Sequence, residues 1–107
     1  MEKLIPWVHL GLAGILEVLW ASGFRQIHPS KPLLSLGVVA AMIGSFAFLW
    51  MAVQKLPVGT AYAVWTGIGA VGAVLVGILY NGEPATVARI VCVLFIVAGI
   101  VGLKLFS

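Results

Sequence analysis

The stretch Leu4-Ile5-Pro6-Trp7-Val8-His9-Leu10-Gly11-Leu12-Ala13-Gly14-Ile15-Leu16-Glu17-Val18-Leu19-Trp20-Ala21-Ser22-Gly23-Phe24 decides the fold. As a helix it spans roughly 30 Å, about the thickness of a bilayer's hydrocarbon core. It holds a single acid. Glu17 lies three residues from the middle of the run, about 4–5 Å from the bilayer midplane. A Glu side chain is too short to reach water from there. A carboxyl at that depth costs on the order of several kcal/mol unless it faces a partner or a wet cavity. Glu17 is therefore the first candidate for function.

Three more runs of this kind follow, at about Leu33–Val53, Val58–Tyr80 and Thr86–Leu105. Each is long enough to cross a bilayer, and at this length only helices can satisfy their own backbone groups in lipid. The expected fold is all-α: one four-helix transmembrane domain over residues 1–107, with helices at about 4–24, 33–53, 58–80 and 86–105. The breaks between runs are clean. His28-Pro29-Ser30-Lys31-Pro32 cannot continue a helix. Gln54-Lys55-Leu56-Pro57 reads as a tight turn with Pro57 at the first position of the next helix. Asn81-Gly82-Glu83-Pro84 is a strong turn signal. Trp7, Trp50 and Tyr80 fall near span ends, where aromatic belts form.

Composition agrees. Of 107 residues, 63% are hydrophobic and 8% charged, and mean hydropathy is +1.20, outside the range of soluble domains. The net charge of +3 comes from scattered single charges, so there is no basic cluster of the kind that binds nucleic acid. One cysteine, Cys92, makes neither a disulfide framework nor a cysteine metal site, and it reads as a small buried hydrophobe. The first apolar run is too long for a cleavable signal. No metal-ligand cluster, nucleophile–base pair or phosphate loop stands out, so neither an enzyme nor a cofactor is expected.

Four spans place Lys3, Lys55 and Lys104 on one side and Arg25, Lys31 and Arg89 on the other. Three against three leaves the positive-inside rule without a preference. Either something else sets the orientation, or copies insert both ways up. Four short helices also enclose too little space for a polar pathway. Two copies in opposite orientations would supply the inverted symmetry that larger carriers hold within one chain.

On the first span Gly14, Glu17 and Trp20 recur every three residues and share a face; the small residue lets another helix approach. The alternative is a structural acid, permanently protonated. On the third span Tyr62, Trp65 and Thr66 share a face. Gly67, Gly69 and Gly72 then either allow a bend in mid-membrane or only permit tight packing. Ser45, midway along the second span, either bonds back to its own helix or orients Glu17. His9 reads as an interfacial residue, two turns from Glu17. Ala98, Gly99 and Gly102 form a small-residue surface suited to helix or dimer packing.

Ala13-Gly14-Ile15-Leu16-Glu17-Val18-Leu19-Trp20-Ala21, the run Leu56-Pro57-Val58-Gly59-Thr60-Ala61-Tyr62-Ala63-Val64-Trp65-Thr66-Gly67-Ile68-Gly69-Ala70, and Gly99-Ile100-Val101-Gly102-Leu103-Lys104 together resemble the small multidrug resistance transporters. Trp20-Ala21 and Trp65–Ala70 are similar to the guanidinium-exporting subtype. The resemblance implies an antiparallel, dual-topology homodimer in the bacterial inner membrane that exchanges protons for a guanidinium cation at a site shared by two Glu17 residues. Ser45, Tyr62 and Trp65 would line that site, with Gly14 and Trp20 shaping it. It also leaves a paired homologue open as the second protomer. The first loop departs from the family: Arg25 stands where a Lys usually ends the first helix, and Gln26–Pro32 is short and lacks the usual Gly-Phe pair.

The residues themselves fit such an exchange. A carboxyl can hold a proton or a cation, but not both at once. Guanidinium matches a carboxylate through two parallel N–H bonds. Ser45 and Trp65 are expected to donate hydrogen bonds that hold Glu17, and Tyr62 to gate access. Two other readings stay open: export of quaternary ammonium or aromatic cations, and a non-transporting membrane scaffold or chaperone-like protein.

Overall fold

Pro6 and Pro32 each stand in the first helical positions, where the missing N–H would have no partner anyway, and a helix starts at each. The computed structural model describes residues 4–106, so Lys3, counted above in the charge balance, lies outside the described residues. Helix α1 (Ile5–Gly23) runs into a short 3-10 turn, Phe24–Gln26, and α2 covers Pro32–Val53. Helix α3 (Val58–Tyr80) and α4 (Val87–Leu105) complete the chain. All four are long and apolar enough to cross a membrane, so the four expected helices are present.

The helix ends follow from local chemistry. Pro57 stands just outside α3 with extended ψ of 137°, and its carbonyl accepts from the Ala61 amide. It thus precedes the helix instead of opening it. Gly82, at φ +70°, takes a left-handed conformation that a side chain would resist. It turns the chain so that the Asn81 and Glu83 amides both donate to the Gly77 carbonyl at 3.0 Å. Thr86 caps α4, its hydroxyl oxygen accepting from the Arg89 amide at 3.2 Å.

Helix α1 is the centre of the protomer, packed along both α2 and α3, while the backbone of α4 comes close to α3 alone among the described helices. The protomer is therefore flat, 44 × 34 × 20 Å. Its buried cluster, Leu10, Ala13, Ala52, Ala61, Val64 and Trp65, lies toward the α2–α3 turn. Lipid is as apolar as these side chains, so helix contact relies on dispersion and close backbone approach and not on the hydrophobic effect.

Helix α4 has no buried residue. Cys92, read from sequence as buried, lies exposed on it. A helix with one neighbour hides only one face, and Cys92 is off that face.

Candidate functional site

Three glycines bring α1 and α3 together. A Cβ on Gly14 would stand 2.6 Å from Ile68 Cγ2. A Cβ on Gly69 would run into the Glu17 carboxyl, and one on Gly72 into Val18. Gly14 and Val18 are one turn apart on α1, as Ile68 and Gly72 are on α3, so the two helices mesh turn by turn. Glu17 sits in the middle of this seam with its carboxyl against the Gly69 backbone. Gly67 faces the other way, toward α4, where its Cβ would lie 2.9 Å from Ile100 Cδ1. The expected glycines of the third span thus serve close packing on two sides of an unbroken helix.

Ser45 and Trp65 form a separate polar link. Trp65 Nε1–H donates to Ser45 Oγ at 2.9 Å. The Ser45 hydroxyl donates in turn to the Ala13 carbonyl at 2.7 Å. Both residues are buried, and the chain of bonds ties α3 to α2 to α1. Each has one proton to give, and neither gives it to Glu17. Ser45 likewise does not bond back to its own helix; its partner is a carbonyl on a neighbouring one.

Glu17 is left open. Its Oε2 is buried without a hydrogen-bond partner, and so are Trp20 Nε1 and Ser22 Oγ. All three lie within six residues on the second half of α1. A buried polar atom without a partner costs about 1–3 kcal/mol. Three so close together mark a place where a ligand or another chain belongs.

A row of rings runs beside them. Tyr62 and Trp65 stand 5.6 Å apart between centroids, Trp65 and Phe46 5.5 Å, Phe46 and Trp20 6.3 Å, and Trp20 and Phe24 6.1 Å. Tyr62 is exposed and stands at one end of the row. Phe46 joins Trp65 to Trp20 and was not among the expected site residues. Its position next to Ser45 on α2 was the available signal. His9 is elsewhere, its ring stacked on Phe48 at 6.0 Å. Ala98, Gly99 and Gly102 are not part of this cluster. A Cβ on Gly99 or Gly102 would meet nothing within 4 Å, so this stretch of α4 is open.

Four membrane-length helices around one buried, unpartnered carboxyl define a small membrane transporter. The sequence model of the family described as Small Multidrug Resistance protein matches residues 5–96. The chain is 56% identical over 102 residues to the protein named Guanidinium exporter of Citrobacter freundii, a match covering 94% of this chain and 97% of that one. The protein of the same name from Salmonella typhimurium gives the same figures. That of Escherichia coli strain K12 is 53% identical over the same length. This chain belongs to the small multidrug resistance family. It is a multi-pass protein of the bacterial inner membrane.

Proposed function

We propose that this protein exports guanidinium and small substituted guanidinium ions, driven by protons moving inward, as an antiparallel homodimer. The observation that carries this reading is the Glu17 carboxyl: in the seam between two membrane helices, pressed on Gly69, with a buried oxygen that no protein group satisfies. A group so placed takes either a proton, which removes its charge, or a cation, which balances it. One group that holds either but not both is an exchanger. A planar guanidinium can bridge both carboxylate oxygens, and relatives more than half identical carry the name Guanidinium exporter.

The antiparallel dimer is supported by the even charge count and by α4. That helix leaves its small-residue stretch open, and a flat protomer encloses no pathway alone. With two protomers, two Glu17 carboxyls share one chamber and titrate as a pair, so neither has a pKa of its own. The Ser45–Trp65 link then serves as the rigid wall of the chamber, and exposed Tyr62 is placed to gate it. The three glycines of α3 remain available as a bending point between two access states. Cross-links at Gly102→Cys compatible only with a parallel pair would contradict this arrangement.

The ring series favours a second reading, since aromatic faces also bind quaternary ammonium and aromatic cations. One experiment separates the two. Purified protein in liposomes is given a pH gradient and labelled guanidinium, with and without excess tetraalkylammonium. Guanidinium flux that needs the gradient and resists the competitor is expected. Flux indifferent to the gradient would end the exchange mechanism, and full suppression by the competitor would favour the broader exporter.

A further inference from the structure

A second polar cavity lies apart from Glu17, where α1 and α3 end and their loops meet. It has a volume of about 160 Å³ and is lined by Ser22, Arg25, Gln26, Asn81 and Glu83. The charges around it do not balance. Glu83 Oε1 accepts from Arg89 Nη2 at 2.7 Å, so the carboxylate is neutralised by a residue of α4. Among the described residues that is the one salt bridge, and Arg25 has none.

The remaining groups are mostly donors without acceptors. Ser22 Oγ is buried and unpartnered. Gln26 Oε1 already accepts from Lys31 Nζ at 3.2 Å, which commits the amide oxygen, leaves its NH₂ unspent and brings a further cation alongside. Arg25 offers five N–H donors in a planar fork. A cluster of donors with one excess positive charge selects an anion.

The height of the cavity says which anion. Helix α1 ends at Gly23 and α3 at Tyr80, and exposed Phe24 and Tyr80 flank those ends. Aromatic side chains at span ends sit at the level of lipid headgroups. Basic pockets between membrane helices at that level bind headgroup phosphates. We propose that the Ser22–Arg25–Gln26–Asn81 cavity binds the phosphate of an anionic phospholipid, with Arg25 as its principal contact and the Glu83–Arg89 pair closing its far wall. The site is separate from transport chemistry and does not depend on which cation the protein carries.

The test is lipid binding to delipidated full-length protein in detergent, read by native mass spectrometry as the affinity of the first bound lipid. Phosphatidylglycerol should bind more tightly than phosphatidylcholine. Arg25→Gln should weaken that first phosphatidylglycerol by about fivefold, and Arg25→Lys by less, since charge remains but the fork is lost. Lys55→Gln, which removes the same charge at the α2–α3 turn, should leave it unchanged. Glu83→Gln should strengthen binding, because it removes the opposing carboxylate and releases Arg89. Glycerol 3-phosphate should not displace the lipid at equal concentration. Equal affinity for the two lipids, or a preference that survives Arg25→Gln combined with Asn81→Ala, would overturn the proposal. Displacement by glycerol 3-phosphate would overturn the lipid assignment in favour of a soluble phosphate. Weaker binding in Glu83→Gln would mean the cavity takes a cation, and would overturn it as well.

Discussion

The two halves of α1 are built to different ends. In the first half Leu10, Ala13 and Gly14 are buried, and the Ala13 carbonyl is tied through Ser45 to Trp65. Every contact there is made within the protomer. In the second half Glu17, Trp20 and Ser22 each bury a polar atom with no partner. One helix thus carries a finished region and an unfinished one, a single turn apart. The finished half sets the positions of three helices without using Glu17 at all. The unfinished half is where binding free energy can be gained, because a ligand or a second copy satisfies groups that are already desolvated.

Substitutions can break or sharpen that contrast. The largest effect is expected from Glu17→Gln. It keeps size and shape but can never be anionic, so transport should vanish while helix content and dimer formation stay as in the parent. Flux assays beside circular dichroism check this. Gly69→Ala comes next. Its methyl would occupy the space of the Glu17 carboxyl, and overpacking of about 1–3 kcal/mol should lower guanidinium affinity about tenfold or more. Titration calorimetry in detergent reads it.

Ser45→Ala attacks the finished half instead. It leaves Trp65 Nε1 without an acceptor and the Ala13 carbonyl without its donor, so stability should fall by about 1–2 kcal/mol. Denaturation in mixed micelles measures that loss, and guanidinium affinity should change less than in Gly69→Ala. Trp20→Phe should be the mildest for the fold, within about 0.5 kcal/mol, since the N–H it removes has no partner to lose. A large loss of stability there would show that the second half of α1 is as structural as the first.

Much of this layout was legible from residue order. Four apolar runs, and prolines and glycines between them, locate the helices because lipid forces each run to satisfy its own backbone. Glu17 was legible for the same reason: depth alone makes an acid expensive. The partners of Ser45 were not. A serine in an apolar run can bond to its own helix or to any neighbour, and the choice of the Ala13 carbonyl depends on how α1 and α2 cross. The roles of Gly67, Gly69 and Gly72 also depend on packing. Spacing shows that they are small, whereas only the assembled helices show that Gly69 meets a carboxyl and Gly67 meets α4. Cys92 failed because hydropathy cannot separate a helix facing lipid from one facing protein. Phe46 and the Glu83–Arg89 pair are further cases in which the third dimension selects among many equal candidates.

The most direct test is a count of protons. Guanidinium is added to weakly buffered, detergent-solubilised protein near neutral pH, and the release of hydrogen ions is followed with an indicator dye. If Glu17 gives up its proton to take the cation, release accompanies binding, affinity falls as the medium is made more acidic, and Glu17→Gln releases nothing. Tight guanidinium binding with no proton release anywhere in the physiological range, unchanged in Glu17→Gln, would contradict the account.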